Sequence, residues 1–158
     1  PPSPLRTIPV LYDGPDLDDV ARRLGLTTSE VIALHASVDY DVFAVGFLMG
    51  FPYAGYLPER LAGLPRPAEP RLRVPPGSVA IVGRQTGIYP SASPGGWYLL
   101  GRTPLQIADA ERETFLIRSG DRIRFQPIDS ETFEAICTFR ERNIDGSGKV
   151  RKPLARGR

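Results

Sequence analysis

The chain has 158 residues, 41% of them apolar, and a formal net charge of +2. That length suits one domain, and that apolar share is enough for a real core. No apolar run approaches the ~20 residues that would span a bilayer, and a single cysteine, Cys137, excludes an internal disulfide and fits a reducing cytoplasm.

The opening, PPSPLRTIPV, has neither the basic n-region nor the apolar h-region of a signal peptide. It also lacks an initiator Met, so a fragment or a processed form is expected. Charge is spread unevenly. Residues 140–158 hold seven basic and two acidic side chains, a balance of +5; residues 1–139 hold thirteen arginines and sixteen acids, a balance of −3. The expected organisation is one domain over 1–139 and a basic, disordered tail over 140–158. The tail has no aromatic residue and carries Gly146, Gly148 and Pro153.

Both lysines, Lys149 and Lys152, lie in that tail. The body therefore offers no lysine for a phosphate loop or a Schiff base, and no GxxxxGK[ST] pattern occurs. His35 and Cys137 are alone of their kind, too few for a His/Cys zinc site, so no metal is expected. A Ser–His–Asp triad through His35 would lack the GxSxG elbow.

In chain order, TIPVLY (7–12) reads as a strand. DLDDVARRLG follows as a helix with acids in its first turn and arginines in its last, as the helix dipole favours, and with Gly25 as its stop. TSEVIALHASV is a second helix, and Thr27 with Glu30 has capping-box spacing. Two helices joined by a tight turn invite a DNA-binding reading. The second offers Glu30 and His35 rather than basic or amide groups, so nucleic acid is not an expected partner.

From Tyr40 the period becomes two. DVFAVGF, SVAIVG (78–83), GWYLLGR (96–102) and DRIRFQPI (121–128) read as strands. In the last, Ile123, Phe125 and Pro127 face one side, with Arg122, Arg124 and Gln126 on the other. SETFEAICTFR (130–140) fits a last helix or strand with Cys137 in the core. Between Gly46 and Arg102 stand nine prolines and ten glycines, mixed with aromatics and short apolar runs. Rigid loops folded over a β-core have that mixture, and such loops commonly carry function. The fold class expected is mainly β with short helices, a small barrel or sandwich.

The words of this stretch are GFLMGFPY (46–53), LP…PR (64–66), PR (70–71), VPPGSVAI (74–81), QTGIYP (85–90), SPGGW (93–97) and GRTP (101–104), with GD (120–121) and RIRF after them. Read in order, they closely resemble the family of KipI and allophanate hydrolase subunit 1, whose members are also described as 5-oxoprolinase subunits, over roughly residues 7–135. The resemblance implies a cyclophilin-like β-barrel that follows a small α/β domain in the family. It implies a subunit of an ATP-dependent amide or lactam hydrolase, most readily one opening 5-oxoproline to glutamate. ATP would act in the complex rather than necessarily on this chain. The implied partners are a homologous barrel subunit (KipA or its 5-oxoprolinase counterpart) and a lactam-handling subunit. The alternative is a regulatory module, because KipI inhibits a sporulation histidine kinase. Prolyl isomerase activity does not follow from the fold. Met49 stands where the family has proline and Ala54 where it has leucine, so the loop at Met49 should be less rigid.

Candidate residues carry a bland reading beside a functional one. His35, whose ordinary pKa is near neutrality, is a general base or a packed histidine. Gln85, Thr86 and Tyr89 offer amide, hydroxyl and phenol to a lactam or urea, or else serve a barrel turn. Arg102 clamps a carboxylate or phosphate, or pairs with Asp109 or Asp121. Arg66 and Arg71, each after a proline, contact an anion or a partner. Ser93–Trp97 forms an anion nest beside a substrate-contacting Trp97, or joins strands. Phe47, Phe51, Tyr53 and Tyr56 line a groove or a face that meets a partner subunit.

Overall fold

The computed structural model describes residues 3–46 and 50–142. The elements run β1 (Leu5–Val10), α1 (Leu17–Leu24), α2 (Thr28–His35), β2 (Tyr40–Gly46), β3 (Phe51–Gly55), a 3-10 turn (Glu59–Leu61), β4 (Arg71–Val74), β5 (Ser78–Val82), β6 (Gln85–Ile88), β7 (Ser93–Gly95), β8 (Tyr98–Arg102), β9 (Ala108–Asp109), β10 (Thr114–Phe115), β11 (Arg122–Pro127) and α3 (Ser130–Arg142). The fold is mainly β with three short α-helices among the described residues.

Seven strands form one sheet in the order β1-β11-β2-β3-β6-β5-β8. β1 and β11 pair in parallel, from Leu5 opposite Arg122 to Val10 opposite Pro127. The other neighbours are antiparallel. One bridge nearly closes the sheet into a barrel. Just past β1, Leu11 N donates to Arg102 O at 2.9 Å, and Arg102 N returns a bond to Leu11 O at 3.0 Å. Glycine makes this seam possible, because a Cβ on Gly101 would meet the Leu11 carbonyl. β1 pairs along its length only with β11, which lets it hold Pro9.

The alternation of β5 defines two cores. Val79 and Ile81 point into the barrel with Ile8, Val42, Ile88 and Phe125. Ala80 and Val82 point outward, where Phe51, Val74, Tyr89, Trp97 and Leu99 cover them. The antiparallel ribbon β4–β7 contributes Val74 to that outer layer. A strand buried on both faces reads as a continuous apolar run, as SVAIV does.

Both early helices form as their sequences dictate. Glu30 N donates to Thr27 Oγ1 and Thr27 N to Glu30 Oε1, each at 3.1 Å, completing the capping box. Gly25 ends α1 at φ 67. Asp16 does not cap α1 with its side chain; that carboxylate is used elsewhere. α3 settles the ambiguity of 130–140 as a helix, and it continues to Arg142, so the expected tail boundary at residue 140 falls inside it. Cys137 is half-buried, not a core residue. Pro127 is exposed, because the inward face of β11 ends at Phe125. No helix among the described residues is long and apolar enough to cross a membrane.

Candidate functional site

Strand alternation separates residues that the sequence sets side by side. Thr86 points into the barrel and is fully buried, while Gln85 lies on the outer side, in a cleft with Val82. The QTGIY segment is therefore not one polar cluster.

Inside, Thr86 meets His35. The Thr86 hydroxyl donates to Ala80 O at 3.0 Å, so its oxygen accepts from His35 Nε2–H at 2.9 Å. Nδ1 is then left to accept from the Tyr12 hydroxyl at 2.7 Å. The ring stacks on Phe125 with centroids 4.3 Å apart. His35 has no exposed surface, and burial pushes its pKa down to about 3. A neutral histidine with both nitrogens occupied has no lone pair for a substrate. The packed reading of His35 is the one this geometry carries. Thr86, its partner, likewise faces the barrel interior rather than a cleft.

Two of the candidate arginines are tied to aspartates. Arg71 forks onto Asp16 at 2.5 and 2.8 Å, and Asp16 Oδ2 also accepts from Leu99 N at 2.8 Å. That carboxylate thus joins α1, β4 and β8. Arg102 pairs with Asp13 at 3.0 Å and lies over the Phe133 ring at 4.4 Å. The expected pairing with Asp109 or Asp121 is wrong: Asp109 takes Arg112 and Asp121 takes Arg6. Arg71 and Arg102 line one cleft of about 380 Å³ with Arg73 and Ser78.

A second constellation gathers on the outer face. Phe51 packs against Tyr53, Tyr89 and Trp97 with centroids 4.7, 5.0 and 5.4 Å away. Backbone without side chains makes room for these rings. A Cβ on Gly87 would sit 2.6 Å from the Phe51 ring, and one on Gly95 would strike the Tyr89 hydroxyl. Phe51 is buried, so its assignment to a partner face fails, and Tyr89 and Trp97 are buried beside it. Tyr53 is half-exposed. Phe47 and Met49 lie outside the described residues.

Arg66 stands at the rim of this aromatic layer. Its loop is pinned, because the Tyr98 hydroxyl donates to Pro65 O at 2.7 Å and Leu64 bridges Gly83. Arg66 Nη1 lies 3.8 Å from the place a Cβ would take on Gly96, over the SPGGW turn. Burial raises the Tyr53 and Tyr89 pKa values, and the Arg66 guanidinium opposes that shift in both. Arg66 also lines an open cleft of about 470 Å³ with Tyr56, Leu64, Pro65, Arg84 and Gln85. Among the described residues, no carboxylate pairs with Arg66 or Arg84. The Arg84 guanidinium lies instead over the Tyr56 ring at 4.5 Å. The structure thus brings Arg66, Gln85, Tyr89 and Trp97 to one outer region, holds Arg71 and Arg102 in another cleft, and places His35 and Thr86 within the barrel.

The family described as "Carboxyltransferase domain, subdomain C and D" matches residues 1–117. The chain belongs to this family. A 5-oxoprolinase subunit of Escherichia coli O157:H7 is 55% identical over 124 residues, 76% of this chain and 56% of the relative. The subunit of the same name in Bacillus subtilis (strain 168) is 43% identical over 132 residues, 81% of this chain and 55% of the relative. The chain spans about half the length of these curated relatives. A crystal structure of the conserved uncharacterized protein PH0987 from Pyrococcus horikoshii matches with a TM-score of 0.76 at 44% identity, covering 82% of this chain and 61% of that one. The K. lactis urea amidolyase structure matches at TM-score 0.64 and 20% identity, over 86% of this chain and 10% of that one, a likeness of fold.

Three partners in this carboxyltransferase-family barrel escape a reading of the sequence. Tyr12, Asp13 and Asp16 sit within five residues and join elements far along the chain. Their spacing carries no local signal. Tyr53 is expected from the sequence as an interface aromatic, and only the barrel register sets it opposite Gly87.

Proposed function

We propose that this chain is the barrel part of a subunit of an ATP-dependent hydrolase that opens 5-oxoproline to glutamate. The observation that carries the reading is the 55% identity, over 124 residues, to a relative named as a 5-oxoprolinase subunit. The reaction adds water across the lactam C–N bond. The outer region suits such a substrate. The Gln85 amide can both donate and accept, as a lactam requires, and Arg66 and Arg84 add positive charge beside it.

The described residues lack one common kind of nucleotide site, the lysine-bearing phosphate loop. They contain no lysine, and no Gly-rich phosphate loop opens a helix. We assign the use of ATP to the assembled complex. The partners proposed are a homologous barrel subunit and a lactam-handling subunit. Tyr56 (64% exposed) and Phe43 (45% exposed) pack with centroids 6.1 Å apart, and Arg84 covers Tyr56. Exposed aromatics with arginine are the residue types that anchor interfaces.

The test is to co-express the full-length subunit with both partners and assay glutamate release from 5-oxoproline. Release that needs ATP and all three subunits is expected. A stable complex without turnover would sink the substrate assignment. Failure to assemble, with inhibition of a sensor histidine kinase instead, would replace the enzyme reading by the regulatory one.

A further inference from the structure

We propose that Arg71, Arg73 and Arg102 form a receptor for a small phosphate monoester in the cleft they share. All three line one concavity of about 380 Å³. Strand alternation sets Arg71 and Arg73 on the same side of β4, and Leu72 between them turns outward, 92% exposed. Arg102 enters from the end of β8. Water would serve any one of these donors by itself. Here three converge, and two of them are held in place from behind. Arg71 forks onto Asp16, whose Oδ2 also accepts from Leu99 N at 2.8 Å. Arg102 gives Nε to Asp13 at 3.0 Å, and its guanidinium rests over the Phe133 ring at 4.4 Å. Asp13 takes only Nε, which leaves both Nη groups of Arg102 for a ligand.

Backbone shapes this cleft. A Cβ on Gly14 would meet the Leu99 carbonyl, so glycine lets the loop bearing Asp13 lie against β8. Elsewhere on the rim, Ser78 Oγ donates to Pro75 O at 2.7 Å and ties the Pro75–Pro76 turn to β5. The three arginines, set against Asp13 and Asp16, leave an excess of one positive charge, within residues 1–139 that carry −3 overall. The complementary ligand is an anion. A phosphate group has three peripheral oxygens to share among three guanidinium groups, where a carboxylate has two. Leu99, Pro15, Pro75 and Pro76 add an apolar wall for the organic part of an ester. Nothing in this site depends on the 5-oxoproline reading above.

The test is calorimetric titration of the full chain with phenyl phosphate, inorganic phosphate and benzoate at one fixed salt concentration. Arg73→Gln, Arg102→Gln and Arg102→Lys are compared with wild type. Arg118→Gln, which removes an exposed arginine outside the cleft, controls for loss of charge alone. Phenyl phosphate should bind wild type, weaken about 10- to 100-fold in Arg73→Gln and in Arg102→Gln, and keep its affinity in Arg118→Gln. Arg102→Lys should recover only part of the loss, because an ammonium cannot reproduce the planar fork. Inorganic phosphate should displace phenyl phosphate, and benzoate should bind more weakly than it does. Absence of saturable binding overturns the proposal, as does failure of inorganic phosphate to compete. An equal loss in Arg118→Gln would mark diffuse attraction to surface charge and overturn it too. Benzoate binding as tightly as phenyl phosphate would do the same. Among the described residues Arg73 pairs with no carboxylate, so Arg73→Gln decides the outcome even where Arg102→Gln fails to fold.

Discussion

His35 Nε2 lies 2.9 Å from Thr86 Oγ1, which joins the end of α2 to the middle of the barrel wall. Through this contact a donor chain runs from the Tyr12 hydroxyl, across the imidazole and the Thr86 hydroxyl, to the Ala80 carbonyl. The imidazole and the Thr86 hydroxyl each give one proton and take one, so the network is satisfied only while His35 is neutral.

Acid stability follows from that condition. Burial lowers the folded-state pKa of His35 from 6.5 to about 3. Between those values the unfolded chain binds a proton that the folded chain refuses. The contribution of His35 to stability is thus full above pH ~6.5 and falls as the pH drops through the window, by up to ~1.4 kcal/mol per unit. Urea unfolding between pH 6.5 and 4.5, above most carboxylate titration, should show this slope in wild type and a flatter one in His35→Gln. Equal slopes would mean that His35 is not the group responsible.

Asp16 should matter more to stability than its partner Arg71. The Asp16 carboxylate serves both the Arg71 fork and the Leu99 amide, and its side chain is 15% exposed against 34% for Arg71. Asp16→Ala strands a backbone donor of β8 and a guanidinium, at a cost of about 1–3 kcal/mol. Arg71→Ala leaves Asp16 with the Leu99 amide, and solvent compensates more of the loss. Chemical denaturation of both variants checks the order; a larger loss in Arg71→Ala would contradict this account.

Much of the local structure was legible in the sequence because its causes are local. The Thr27–Glu30 capping box, the stop at Gly25 and the inward Ile123 and Phe125 of β11 each depend on residues within a turn or two. The candidate site was less legible because its causes lie far apart along the chain. Arg102 meets Asp13 beside the Leu11–Arg102 bridge that nearly closes the barrel, a contact between residues 89 positions apart. Phe51 is buried because the rings of Tyr89, just past β6, and Trp97, just before β8, reach it from far along the chain. Gln85 and Thr86 part company through the period of two, a rule that could have been applied to the sequence itself.

Gly87 is expected to be intolerant of the smallest side chain. A Cβ there would lie 2.6 Å from the Phe51 ring and 2.9 Å from the Pro52 carbonyl oxygen. Phe51 has little room to yield, because Tyr89 and Trp97 hold its other faces. Gly87→Ala should destabilise by about 1–3 kcal/mol through overpacking and disturb Tyr53, which pairs with Gly87 in the ladder. Thermal unfolding and near-ultraviolet circular dichroism would read both effects. A wild-type melting temperature with an unchanged aromatic signal would refute the tight approach.

Tyr56 separates folding from assembly. Its ring is 64% exposed and meets Phe43 and Arg84 rather than either core. Removing an exposed ring of this kind changes stability by no more than ~0.5 kcal/mol. An anchor in an interface behaves otherwise, and its truncation costs about 2 kcal/mol or more of binding. Tyr56→Ala should therefore unfold at the wild-type denaturant midpoint while weakening association with the proposed homologous barrel subunit by roughly tenfold or more. Sedimentation or calorimetry on the purified pair would measure the second effect. Unchanged association would move the partner surface away from the Phe43–Tyr56–Arg84 cluster and leave the open cleft beside it free for a small ligand.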